Sequence, residues 1–357
     1  MERKLLLAGC CALIMAMGIG RFAYTALLPA MGLNDSQAGF LASANYAGYL
    51  IGAIACAAFS GRRRPPFQIG LALSILTTAA LAVTTDWRLW LGLRFLAGLA
   101  SAGVFVLGSA MVLESLADRR RGGLHFAGVG LGIALAGLVA MAVPEASAAW
   151  AWLAGAALLL AVPGWLWIAE PPRPAPASAS ATGPLRSFLV LLGFAYFCEG
   201  VGYIVSGTFL VSLVKRLPGL EDWAILSWVL VGLAAAPSAI LWAAAGRRLG
   251  GKRALILAHF VQALGIALPA LSSSPAAVMA GAALFGGTFI GIVALTLTLA
   301  GGAGRMVGIL TALYGIGQII GPLMAAALLP YGATLPLLAA AGFVILGALP
   351  LVPLARR

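Results

Sequence analysis

Charge is scarce in this chain of 357 residues: 9% are Asp, Glu, Lys or Arg, with ten acidic residues against 22 basic ones. A soluble domain carries about a quarter of its residues charged, so a water-soluble fold is excluded. Histidine is scarcer still. His125 and His259 stand 134 positions apart with no HExxH pattern, and both are expected as helix-interface residues, not zinc ligands. The four cysteines, Cys10, Cys11, Cys56 and Cys198, form no CxxC pair, which removes a metal-cluster reading and leaves packing. No nucleophile–base constellation is present, so an enzyme is not expected. Long polar segments are missing as well. The longest, 170–186, is rich in Pro, Ala and Ser, offers no core, and reads as a linker.

What the chain has is apolar length. It is 62% hydrophobic with 46 glycines, and small residues let membrane helices approach closely. A bilayer core of ~30 Å takes about 20 apolar residues as helix. Twelve spans are expected, at 5–30, 37–59, 67–84, 89–113, 124–143, 148–169, 187–214, 223–245, 254–271, 276–300, 307–329 and 334–354. The fold class is therefore an all-α membrane protein of two six-helix, pseudo-symmetric bundles, 1–169 and 187–357, joined by the 170–186 linker. Gly61-Arg62-Arg63 after the second span and Gly246-Arg247-Arg248 after the eighth form a matching internal echo.

Basic residues alternate between the gaps. Seventeen of the 22 sit at the termini or in even-numbered gaps, at 3–4, 62–64, 119–121, Arg173, Arg186, 247–248, 252–253, Arg305 and 356–357. Only Arg88, Lys215 and Arg216 occupy odd gaps. The richer side, with both termini, is expected to be cytoplasmic. Clusters flanking apolar helices point to the lipid bilayer as partner, not to nucleic acid. Two further motifs lose their meaning in context. Leu7-Ala8-Gly9-Cys10 resembles a lipoprotein cleavage box, but too few apolar residues separate it from Lys4 for a signal peptide. The stretch 246–253 has a GxxxxGK skeleton, yet Arg253 stands where a magnesium-binding Ser/Thr belongs.

An ionisable side chain inside a bilayer costs about 2.5–3.5 kcal/mol, so it asks for a partner or a water-filled cavity. Arg21, Arg94 and Glu199 lie deep in spans. Tyr196, Glu199, Tyr203 and Ser206 share one face of the seventh helix. Arg21 with Tyr24 and Thr25, Asn45 with Tyr49, Arg94 with Ser101, and Tyr314 with Gln318 make polar stripes on the first, second, fourth and eleventh. Such segregation fits a cavity between two halves. Arg21 and Glu199 lie at similar depth and are expected to pair across the halves in at least one conformation. Gly128, Gly130 and Gly132 on the fifth span and Gly315, Gly317, Gly321 and Pro322 on the eleventh predict close, bent packing at equivalent places.

With six spans on each side of the linker, the chain resembles the major facilitator superfamily over essentially its whole length. Gly18-Ile19-Gly20-Arg21-Phe22-Ala23-Tyr24-Thr25-Ala26-Leu27-Leu28-Pro29, Phe40-Leu41-Ala42-Ser43-Ala44-Asn45-Tyr46 and His125-Phe126-Ala127-Gly128-Val129-Gly130-Leu131-Gly132 resemble its uncharacterised bacterial YbfB/YjiJ-type branch. Arg94-Phe95-Leu96-Ala97-Gly98 is similar to the family's fourth-helix RxxxG motif, whose arginine the resemblance links to proton coupling. Gly61-Arg62-Arg63-Arg64 resembles the loop motif between helices two and three without its usual acidic residue, and Glu114 and Asp118 sit near the end of helix four. The fifth-helix GxxxGP pattern lacks its proline, since Ile133 follows Gly132.

The reading that follows is a monomeric secondary transporter of a small organic solute in the bacterial cytoplasmic membrane. It would work by alternating access, without a cofactor and with the proton as coupling ion. Its expected substrate and proton pathway is Arg21, Tyr24, Thr25, Asn45, Tyr49, Arg94, Ser101, Tyr196, Glu199, Tyr203, Ser206, Tyr314 and Gln318. Glu199 is the expected proton carrier, whose protonation would release Arg21. The alternatives are an uncoupled facilitator using the same cavity, and a non-transporting membrane sensor or scaffold acting through the linker.

Overall fold

A computed structural model describes residues 2–118, 121–171, 186–301 and 305–355, and most of the 170–186 linker lies outside them. Among the described residues, twelve helices are long and apolar enough to cross a bilayer: α1 Glu2–Ala30, α2 Asp35–Ala58, α3 Arg64–Val83, α4 Trp87–Glu114, α5 Gly122–Ala142, α6 Ala146–Trp167, α7 Ser187–Lys215, α8 Glu221–Leu249, α9 Gly251–Leu271, α10 Pro275–Leu299, α11 Met306–Tyr331 and α12 Thr334–Leu354. No strand occurs among the described residues. An even number of passes returns the chain to the face on which it began. That face is called the terminal face below, and its counterpart the opposite face.

Local chemistry sets where the helices turn. Asn34 caps α2 with a reciprocal pair of hydrogen bonds to Gln37, and Asp86 and Ser274 accept from the first amides of α4 and α10. On the terminal face α8 passes into α9 through Gly250 alone, whose φ of 85° suits glycine and few other residues. Helix α8 runs four residues beyond its expected end at 245, because hydropathy marks the edge of the lipid and the hydrogen-bond ladder continues past it through Gly246-Arg247-Arg248-Leu249.

Packing repeats with an offset of six helices. In the first half α1 packs on α5 and α6, α2 on α4, and α3 on α4 and α6. In the second, α7 packs on α11 and α12, α8 on α10, and α9 on α10 and α12. The main contacts between halves, α2 with α11 and α5 with α8, exchange under the same offset. Glycines permit the closest crossings. A Cβ on Gly98 of α4 would lie 1.9 Å from the Asn45 carbonyl oxygen of α2, and one on Gly286 of α10 would lie 2.3 Å from the Val231 oxygen of α8. Gly317 and Gly321 bring α11 against α7, and Gly130 brings α5 against α8.

The terminal ends of the first half are pinned by charge. Arg63 grips both Glu114 oxygens at 2.8 Å and reaches Glu170 at 2.9 Å, while Glu170 also accepts from the Arg63 and Arg64 amides at 2.7 and 3.0 Å. The acid missing from the 61–64 loop is thus supplied from just beyond α6. Burial pushes the Glu170 carboxyl up, but the Arg63 guanidinium and the two amides outweigh it and hold the group below its ordinary range.

Candidate functional site

Helix α1 is irregular where its side chains become polar. It is α-helical to Leu13, π-helical over Ile14–Phe22, α-helical again over Ala23–Leu27, and closes in a 3-10 turn at Leu28–Ala30. A π segment re-aims side chains relative to a regular helix and often marks a functional site. Gly18 within it lets α5 approach until an added Cβ would meet Gly132 Cα at 2.2 Å.

Arg94 of α4 meets the joint between the π and α turns. It donates to the Gly20 and Arg21 carbonyls at 3.0 and 3.2 Å, lies 4.6 Å from the centre of the Tyr24 ring, and its own carbonyl accepts from Asn45 Nδ2 at 2.8 Å. Fully buried and outside the salt bridges formed by the described residues, it is balanced by carbonyl dipoles and a ring face. All of these contacts stay within the first half. Arg94 therefore holds in place the turn of α1 that presents Arg21.

Arg21 points into an aromatic cage, 4.1 Å from the Tyr49 ring centre, 5.0 Å from Tyr46 and 5.6 Å from Phe22. It donates across the interface to Gln318 Oε1 at 3.2 Å, and Gln318 Nε2 donates to the Tyr203 hydroxyl at 2.5 Å. Tyr203 stacks on Tyr314 at 5.3 Å, and Tyr314 stacks on Tyr196 at 4.2 Å. Glu199 ends the series. Its Oε1 accepts from Gln262 Nε2 at 3.2 Å, the Tyr314 phenol faces the carboxyl, and Oε2 has no hydrogen-bond partner among the described residues. In this conformation Arg21 and Glu199 form no ion pair, and a neutral relay of Gln318, Tyr203 and Tyr314 stands between them.

The halves are fastened from mid-membrane to the opposite face. Thr25 donates to the Gly207 carbonyl at 2.5 Å, Tyr46 and Thr208 share a 3.0 Å hydrogen bond, Ser43 donates to the Ile319 carbonyl at 2.8 Å, and Arg216 pairs with Asp35. Toward the terminal face, half-buried Tyr49, Phe105 and Phe126 form a ladder with ring centres 6.4 and 5.9 Å apart.

The structure thus gathers Arg21, Tyr49, Tyr196, Glu199, Tyr203, Tyr314 and Gln318 at the centre. Tyr24, Asn45 and Arg94 form a separate clamp, and Thr25 belongs to the latch. Ser101 donates to the Gly98 carbonyl of its own helix at 2.8 Å, while buried Ser206 has no partner among the described residues. His125 bonds Ser109 at 2.8 Å and His259 bonds the Leu255 carbonyl at 2.8 Å, both within helix packing. Phe289 of α10 stacks on Tyr203 with ring centres 5.8 Å apart and meets Phe22 at 6.1 Å, and neither it nor Tyr46 or Gln262 is among the residues expected in the pathway. Gln262 carried a usable signal, a polar side chain inside an apolar span, whereas Tyr46 and Phe289 look like ordinary apolar filling.

The family described as uncharacterised MFS-type transporter YbfB matches residues 13–351. The chain belongs to this family. It is a family of transporters within the major facilitator superfamily, not of enzymes. A search of curated protein sequences finds no match. Among solved structures, this MFS-type chain is similar to a point mutant of the nucleoside transporter NupG, with a TM-score of 0.78 at 12% identity over 98% of this chain and 99% of the other. It is also similar to the human organic anion transporter MFSD10, with a TM-score of 0.70 at 18% identity over 98% and 99%. At such identities the likeness is one of fold.

Proposed function

We propose that this MFS-type transporter carries a small organic solute across the bacterial cytoplasmic membrane by alternating access, coupled to protons, as a monomer with both termini cytoplasmic. The bundles 1–169 and 187–357 move about the linker 170–186. One observation carries the reading: an arginine buried on one half and a carboxyl buried on the other face the same interface without touching, joined by neutral side chains that can re-pair. An ion deep in the bilayer costs about 2.5–3.5 kcal/mol, so gain or loss of a proton at Glu199 changes which packing of the halves is preferred. The latch lies on the side of Asp35 and Arg216 and closes that side over the site, which makes the terminal face, past Tyr49, Phe105 and Phe126, the proposed route of entry when the halves part. The cage around Arg21 offers a cation flanked by rings, which suits a solute with an anionic or carbonyl group beside an apolar or aromatic body.

The test is solute-driven proton flux in proteoliposomes holding an internal pH dye, screened over organic acids, sugars, amino acids and amphipathic cations. A solute-specific pH change absent in Glu199→Gln supports coupling through Glu199. Solute uptake that is unchanged by the proton gradient and by Glu199→Gln would replace this reading with an uncoupled facilitator.

A further inference from the structure

The offset of six helices puts two sites in correspondence on the terminal face. In the first half, Arg63 in the α2–α3 connection is held by Glu114 at the end of α4 and Glu170 just past α6. In the second half, the last turn of α8 carries Arg247 and Arg248 on this face, with Arg247 beside the end of α10. There the chain supplies Thr298 and Leu299 instead of a carboxylate. The acidic residues after position 186 are Glu199, Glu221 and Asp222, the first within a span and the other two in the opening turn of α8 on the opposite face, so none lies on this face. Arg247 and Arg248 stand there without an acidic side chain from their own half.

Beside Arg247 the structure is open. A cleft of about 390 Å³ runs between the terminal ends of α8 and α10 and the first turn of α9. Ala243, Ala294, Leu295 and Leu299 make its walls apolar, and Arg247 and Thr298 are its polar lining residues. Its size falls within the ~300–1,000 Å³ range of small-molecule sites. Gly246 and Gly251 set its shape, because a Cβ on either would meet Leu295 or Leu299 at 3.0 or 2.9 Å. Thr298 donates its hydroxyl to the Ala294 carbonyl at 2.7 Å, so the Arg247 guanidinium is the donor that faces the cleft. Apolar walls and a guanidinium at a membrane surface match a molecule with an acyl tail and an anionic head.

We infer that this cleft binds an anionic phospholipid of the terminal-side leaflet, an acyl chain along its apolar walls and its phosphate on Arg247. The lipid supplies in the second half the counter-charge that the chain itself supplies in the first. The inference does not depend on the transport reading, since binding is read without transport.

Native mass spectrometry of the full-length protein tests it, with phosphatidylglycerol, phosphatidylcholine and glycerol phosphate offered in turn. Phosphatidylglycerol should be retained in preference to phosphatidylcholine. Arg247→Gln should lower that preference about fivefold, the weight of one basic residue at an anionic surface. Thr298→Trp, which fills the cleft, should lower it likewise, while Arg62→Gln in the first half should leave it unchanged. Equal retention of both lipids overturns the inference, as does retention insensitive to both Arg247→Gln and Thr298→Trp. Glycerol phosphate binding as well as the lipid would show a headgroup site with no use for the cleft, and also overturns it.

Discussion

The two halves share one packing plan and carry buried charge of opposite sign. Deep in its spans the first half holds Arg21 and Arg94 and no carboxylate, and the second holds Glu199 and no cation. On the terminal face the first half ties Arg63 to Glu114 and Glu170, and the second gives Arg247 and Arg248 no acidic side chain of its own. Repetition therefore builds the scaffold, and the buried charges depart from it. At the glycine crossings the halves are alike because backbone contact tolerates no alternative. In the polar layer they differ, with buried Arg21 and Arg94 on one side of the interface and buried Glu199 on the other.

The comparison breaks most severely at the crossings. Gly98→Val and Gly286→Val should both abolish folded yield in detergent-extracted membranes, since each drives a side chain into backbone and overpacking costs about 1–3 kcal/mol or more. Gly287→Ala, with nothing within 4 Å of its added Cβ, should leave yield unchanged. Next in size is the relay. Gln318→Leu keeps volume but cuts the hydrogen bonds to Arg21 and Tyr203, so solute flux in proteoliposomes should fall by one to two orders of magnitude and melting temperature should fall as well, because a buried guanidinium loses its side-chain acceptor. Unaltered flux would show that the relay is only packing.

Smaller effects sharpen the contrast on the terminal face. Arg63→Ala removes a partly buried three-membered network and should cost about 1 kcal/mol in thermal stability, whereas Arg248→Ala in the second half should cost nothing measurable. The smallest is a pH effect. Glu170 is held below its ordinary value of 4.5, so its contribution is present above that value and is lost as pH falls through the depressed one. Melting temperature should drop on acidification from about pH 5 to about pH 3, and should drop less in Glu170→Gln.

Much of this was legible in the sequence, for physical reasons. Apolar runs of bilayer length located the twelve helices, and the cost of burying charge singled out Arg21, Arg94 and Glu199. What periodicity did not convey was direction. The π segment of α1 re-aims Arg21, and its carbonyls draw Arg94 into a role within the first half, a contact between backbone and side chain that no spacing rule carries. The expected pairing of Arg21 with Glu199 is resolved here into a chain of neutral side chains, because Gln318 and Tyr203 occupy the space between. Glu170 closes the Arg63 cluster from more than a hundred residues away in sequence, a distance at which only the fold brings partners together.

Whether Arg21 and Glu199 act on each other across the interface is tested most directly by a double-mutant cycle of Arg21→Gln and Glu199→Gln on solute flux in proteoliposomes at matched protein content. A coupling energy of about 0.5–3 kcal/mol, with the double variant less impaired than the sum of the single ones, is the predicted result. Additive losses would contradict it and leave two buried charges serving their own halves separately.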